Sequence, residues 1–181
     1  MTEQTADASS AFADSLPVTP DQLAARLDGL GLSYERFSHP PLRTVADSKL
    51  ARSGMLTPQE GGGHIKNLYL RCKRKKNYLI VLQEDRQLDL AWLADHLGAG
   101  RFSFGSAERL FENLGVRPGA VTPFAMVTGA GRDVHLVMDS SLRDTKIIYM
   151  HPLVNDLTFG MAPASLLVFL DSLDVQPSWI D

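Results

Sequence analysis

Residues 61–82, GGGHIKNLYLRCKRKKNYLIVL, decide how the rest of the chain is read. Three glycines lead into His64-Ile65-Lys66-Asn67. An alternating apolar segment follows (Leu68, Leu70, Cys72), then a polar loop, Lys73-Arg74-Lys75-Lys76-Asn77, and a second apolar run from Tyr78 through Leu82. Two strand-like runs joined by a short polar loop predict a β-hairpin. Five of the six residues 71–76 are basic, so the hairpin carries a concentrated positive turn. A flexible glycine approach, a lysine at the strand entrance and that turn together suit an anionic ligand.

On the N-terminal side, Thr19-Pro20-Asp21 supplies an N-cap with proline in the first helical turn, and Leu23, Leu27 and Leu30 follow at helical spacing. Residues 34–37 alternate as a short strand before His39-Pro40-Pro41. Thr44 can cap a helix through Val45, Leu50 and Ala51, and residues 54–63 read as a mobile loop. Beyond the hairpin, residues 89–97 form an amphipathic helix, 101–104 a strand, and Ser106 opens a second helix. Residues 124–128, 134–139, 146–150 and 157–161 read as strands, the last of them at 157–161, and Pro163 starts a C-terminal helix. Helices interspersed with hairpin-linked strands predict a mixed α/β fold, a mixed sheet with helices packed around it.

At 181 residues the chain can bury one proper core. The organisation expected is a flexible tail over 1–17, rich in Ala, Ser, Thr and Asp, and a single domain over 18–181. Cys72 is the lone cysteine, which rules out an internal disulfide and a multi-cysteine zinc site and suits a reducing cytoplasm. No apolar run approaches membrane-spanning length, so a cytoplasmic protein that spans no membrane is expected. A net charge of −3 argues against broad coating of nucleic acid, while the basic turn leaves room for a local anion contact.

Chemistry-bearing candidates are few. Lys66 is either a solvated strand end or a cation beside an approachable backbone, and Asn67 next to it offers both donor and acceptor. His151, fixed by Pro152, is either a structural hydrogen-bonding residue or, with Asn155, part of a small polar pocket. The loop from Gly119 to Pro123 is either a plain turn or a means of aiming backbone N–H groups at a developing oxyanion. No GxSxG elbow, HExxH pair, GxGxxG or GxxxxGK[ST] is present, so no metal and no cofactor is expected. A hydrolytic site built this way would rely on positioning, which suits a labile ester better than an amide.

The strings HIKNLYL (64–70), LGVRPGAVTPF (114–124) and HPLVN (151–155) resemble, in order and spacing, those of the YbaK/ProX prolyl-tRNA editing superfamily, over roughly residues 20–175. The resemblance implies that superfamily's mixed, partly barrel-like sheet surrounded by helices. It also implies trans-editing, the hydrolysis of the ester that joins a wrong amino acid to tRNA(Pro), with transient association with prolyl-tRNA synthetase. The members most similar to this chain are free-standing deacylases of alanyl-tRNA(Pro); the relative that removes cysteine is the nearest alternative. By that likeness Lys66 supports catalysis and holds the 3′-terminal nucleotide, and Asn67 positions it. His151 lines the aminoacyl pocket with Asn155 beside it, and Gly119 and Pro123 match the family's GxxxP loop. Arg71, Lys73, Lys75, Lys76 and Arg101 are candidate contacts to the tRNA acceptor stem. A non-catalytic nucleic-acid-binding module and a hydrolase of small free esters are the competing readings.

Overall fold

The computed structural model describes residues 7–42 and 44–181. In chain order they form α1 (Pro20–Gly29), β1 (Glu35–Ser38), α2 (Val45–Leu50), β2 (Gly62–Cys72), β3 (Asn77–Gln83), α3 (Leu90–His96), β4 (Phe102–Phe104) and α4 (Ala107–Leu114). Then come α5 (Met126–Gly129), β5 (Val134–Asp139), β6 (Ile147–Met150), β7 (Leu157–Met161), α6 (Pro163–Asp171) and β8 (Ser178–Ile180). The strands make one mixed sheet in the order β1-β7-β6-β2-β3-β5-β8, with β4 alongside β2. The hairpin is its centre: Ile65 faces Gln83 and Arg71 faces Asn77 across an antiparallel ladder.

Alternation along this hairpin divides the core in two. Tyr69, Leu79 and Val81 join the larger core, where α1 contributes Leu23 and Leu27, α4 Leu110 and Leu114, and α6 Leu166 and Phe169. Leu70, Cys72, Tyr78, Ile80 and Leu82 face the other way, onto Leu93 and Ala94 of α3. Apolar on both faces, β3 is buried from Tyr78 to Leu82, which is why it reads as a continuous hydrophobic run. Thr19 with Gln22 and Thr44 with Asp47 form capping boxes at α1 and α2, and Asp89 accepts from Ala91 and Trp92 N–H at α3.

Four expectations are corrected. Residues 124–128 are not a strand: Thr122 caps, its hydroxyl accepting from Phe124 N–H, and Pro123 opens a 3₁₀ turn that runs into α5. A short apolar run is equally compatible with a buried helix, and the Thr-Pro cap decides for one. Of the tail expected over 1–17, residues 1–6 lie outside the described residues. From Asp7 onward the chain is instead held at several points: Ala8 and Leu16 are buried, Ala8 O accepts Asn155 N–H at 2.8 Å, and Ser10 bonds both oxygens of Asp156. Third, β8 extends the sheet beyond the C-terminal helix, pairing parallel with β5.

Finally, the glycine run is no loose approach. Gly62 and Gly63 open β2 and pair with Ile147 and Ile148 of β6, and a Cβ on Gly62 would stand 2.1 Å from Leu56 O. Close backbone contact, rather than mobility, requires glycine there. Lys66 consequently sits inside β2, not at its entrance.

Candidate functional site

The long strand β2 has three neighbours, and the gap between two of them makes the site. β3 covers one edge, while on the other β6 pairs only with Gly62–His64 and β4 only with Leu70–Cys72. Residues 65–68 therefore face an opening. Glu84 N–H donates to His64 O, and in an antiparallel ladder this sends the main-chain groups of residues 66 and 68 toward β3 and those of 65 and 67 outward. A cleft of about 260 Å³ fills the opening, lined by Ile65, Lys66 and Asn67, by Thr44, Val45 and Ser48 at α2, by Gly119 and Val121, and by His151.

Lys66, Asn67, Gly119 and His151, separated by up to 85 positions, thus share one cleft. Lys66 Nζ donates to the main-chain oxygen of Arg86. Asn67 Oδ1 is buried with no hydrogen-bond partner, an acceptor that lacks a donor. Gly119 has φ +95°, a conformation glycine tolerates and side-chain residues rarely adopt. Asn155 and Pro123 stand behind the cleft rather than in its lining. Asn155, buried, donates through Nδ2 to Leu42 O at 3.0 Å and accepts Leu42 N–H on its main-chain oxygen at 2.8 Å, so it seats Leu42 against the site. Pro123, also buried, fixes the start of the 3₁₀ turn after the Gly119 loop.

A smaller recess of about 40 Å³ adjoins the cleft, sharing Leu42, Ser48, Ile65, Asn67 and His151 with it. Its remaining walls are Ala51, Met55, His64, Tyr149, Met150 and Thr158. His64 stacks on Tyr149 with ring centroids 4.9 Å apart, and Leu56 is bonded by both: its O accepts from His64 Nε2–H and its N–H donates to Tyr149 Oη, each at 2.8 Å. The recess is walled by groups that hold one another.

His151 Nδ1 lies 2.9 Å from Leu157 O, and because a carbonyl only accepts, the proton is on Nδ1 and Nε2 carries the lone pair. Burial pushes its pKa below the ordinary histidine value, against the opposing pull of the Leu157 carbonyl; His39, with its ring centroid 5.9 Å away, adds to the depression. His64 is depressed likewise, first by burial and then by the nearby Arg52 charge, again against its bonded carbonyl. Histidines held neutral in the fold contribute stability above the unfolded pKa of about 6.5, and lose it as pH falls below that value toward their own lower pKa. The Tm is therefore expected to fall between pH 7 and pH 5, and His64→Gln, whose amide can still donate to Leu56 O, should flatten that fall. Thermal melts of both proteins across this range check it.

The basic candidates gather elsewhere. Arg71, Lys73, Lys75 and Arg101 line an open groove of about 500 Å³ beside β4, joined by Arg109 of α4. Lys73 N–H bonds Arg101 O at 3.0 Å, which brings the hairpin turn to the strand. Lys76 is exposed on the same turn but does not line the groove. Arg109 had no local signal, because only the β2–β4 pairing brings α4 to this side. Among the described residues no helix is long and apolar enough to cross a membrane.

The sequence matches the model of the aminoacyl-tRNA editing domain over residues 39–169. It is 36% identical over 161 residues to the prolyl-tRNA synthetase associated domain-containing protein 1 of Xenopus laevis, an alignment covering 86% of this chain and 92% of that protein. It is 31% identical over 135 residues to the prolyl-tRNA editing protein ProX of Acetoanaerobium sticklandii, covering 74% and 79%. The crystal structure of a candidate trans-editing enzyme for prolyl tRNA synthetase superposes with a TM-score of 0.64 at 20% identity, over 88% of this chain and 94% of its own. That likeness concerns the fold. With a family match that runs from His39 through Lys66 and Gly119 to beyond His151, and relatives aligned over most of their length, this chain belongs to the aminoacyl-tRNA editing domain family.

Proposed function

We propose that this protein is a trans-editing hydrolase that removes a wrong amino acid from tRNA(Pro), with alanine as the acyl group. The observation that carries the reading is the pairing of the Lys66–Asn67–Gly119–His151 cleft with a recess of only about 40 Å³. A space of that size takes a group little larger than a water molecule. A methyl side chain suits that volume, whereas a pyrrolidine ring exceeds it. Size exclusion is an efficient direction of discrimination, because a ring that cannot enter is not aligned for attack.

In this reading the terminal adenosine lies in the cleft and the acyl side chain enters the recess. The unpaired Asn67 Oδ1 accepts from the substrate α-ammonium. Lys66 donates to the ribose oxygens of the terminal nucleotide, where charge grows on the 3′-oxygen as it leaves, since an ammonium has three donors and Arg86 O takes one. Backbone N–H groups of the Gly119 loop face the carbonyl oxygen as it gains charge. Water attacks the ester carbon, the acyl–oxygen bond breaks, and the ribose 3′-oxygen leaves with a proton. The 2′-hydroxyl of the same ribose assists, and neutral His151 offers Nε2 as an acceptor for it. The tRNA acceptor stem runs along the basic groove, and the chain acts in transient association with prolyl-tRNA synthetase.

The test is the half-life of Ala-, Cys- and Pro-tRNA(Pro) with and without the protein. Alanine is expected to be released fastest and proline no faster than in buffer. Fastest release of cysteine would replace alanine as the substrate; release of none above buffer would leave a nucleic-acid-binding module. Charge reversal in the groove, Arg71→Glu with Arg101→Glu, is expected to lower kcat/KM by about tenfold or more. It should also flatten the salt dependence, by roughly one unit of log-log slope for each phosphate that is no longer neutralised. Measurement of kcat/KM against salt concentration decides it.

A further inference from the structure

We propose that Arg86 is a positioning residue for Lys66, held in place by the buried carboxylate of Asp139. The inference rests on the reading that Lys66 serves the reaction. Lysine carries its charge on a flexible four-carbon stem, so its placement depends on what the ammonium touches. Here Nζ donates to the main-chain oxygen of Arg86, in the turn Gln83-Glu84-Asp85-Arg86 that leaves β3.

One carboxylate fixes both ends of that turn. Asp139, 2% exposed at the end of β5, accepts Gln83 N–H on Oδ2 at 3.2 Å and pairs through Oδ1 with Arg86 Nη1 at 2.8 Å. Ser141 adds its N–H at 3.1 Å and its hydroxyl at 2.7 Å. Arg86 also donates to the main-chain oxygens of Ile180 and Asp181, beside β8. Burial by itself would raise the Asp139 carboxyl, but the Ser141 and Gln83 donors and the Arg86 charge bring it below its usual value, so it stays ionised to hold the guanidinium.

The middle of the turn is tied to α2 and to the segment that follows it. Glu84 forms a two-point pair with Arg52, and Asp85 pairs with Lys49 of α2 at 2.8 Å. Thr44, Val45 and Ser48, on the same helix and its cap, wall the cleft. The turn therefore supports the lysine on one side and the α2 wall on the other. A role for Arg86 confined to stability would affect folding without acting selectively on Lys66.

The experiment compares wild type with Arg86→Ala, Arg86→Lys and Asp139→Asn, each checked for folding by circular dichroism. The first readout needs no tRNA: modification of Lys66 by an amine-directed succinimidyl ester, quantified by peptide mass spectrometry against Lys146. Arg86→Ala is expected to speed labelling of Lys66 several-fold relative to Lys146. The second is deacylation of Ala-tRNA(Pro), where kcat should fall about tenfold to a hundredfold with KM unchanged, the effect of a misplaced group. Arg86→Lys keeps the pair with Asp139 but not the two-pronged fork, and should recover part of both. Asp139→Asn preserves shape without charge and carries the test if Arg86→Ala does not fold. A folded variant with wild-type labelling and wild-type kcat overturns the proposal, as does a rise in KM alone. If labelling shifts while wild type deacylates nothing, the linkage stands and the editing reading fails.

Discussion

Replacing Lys66 by alanine is expected to slow deacylation of Ala-tRNA(Pro) by about 10²–10³-fold, the range seen when one preorganised electrostatic donor is removed from an active site. Lys66 is half-buried, with Leu82 opposite it in the β2–β3 ladder, so the loss should fall on chemistry rather than folding. The Tm should move little, because the ammonium bonds a backbone carbonyl that Asp139 and Arg86 already hold. Lys66→Arg should not restore the rate, since a planar guanidinium cannot occupy the position of a compact ammonium. Single-turnover hydrolysis with a parallel thermal melt separates the two effects. A rate within threefold of wild type, a change of only about 0.6 kcal/mol in barrier height, would remove Lys66 from the chemistry.

The second large effect is structural. Gly62→Ala should destabilise the fold by roughly 3 kcal/mol, the scale of overpacking against atoms that cannot yield. The added Cβ would lie 2.1 Å from Leu56 O and 2.8 Å from Leu56 C. Leu56 has little freedom to move: His64 and Tyr149 bond its two main-chain groups, and Gly62 N–H itself donates to Thr57 O at 2.8 Å. For a chain of this length the corresponding fall in Tm is about 6–12 °C. Displacing Leu56 would also move Met55 in the recess wall, so alanine release should weaken in step. Gly29→Ala is the contrast, because a Cβ at Gly29 meets nothing within 4 Å at the end of a helix; its Tm should hold or rise. Comparable melts for the two variants would show that the glycine run is not under backbone constraint.

Much of this was legible in sequence because it depends on neighbours along the chain. The period-two pattern of residues 68–72 and the run 78–82 specify a hairpin, since alternation decides which side chains a pleated strand buries. Thr19-Pro20 and Thr44 specify helix starts for an equally local reason, as capping boxes close within three residues. The same locality explains the misreading of residues 124–128: an apolar run has no period until its cap is weighed. It also explains the tail, whose Ala8 and Ser10 are held by Asn155 and Asp156, almost 150 positions away.

The central hairpin, the mixed α/β class and six pocket candidates, Lys66, Asn67, Gly119, Pro123, His151 and Asn155, follow from residue order alone. That four of them, Lys66, Asn67, Gly119 and His151, line one cleft while Pro123 and Asn155 stay out of its lining is a tertiary outcome, because it depends on where β6 and β4 stop along β2 and leave residues 65–68 uncovered. The tertiary structure alone set the size of the recess, whose walls come from five separate segments, and the support that Asp139 and Arg86 give to Lys66. Sheet order and buried charge pairs arise from contacts between residues dozens of positions apart, and no local pattern of residue types encodes them.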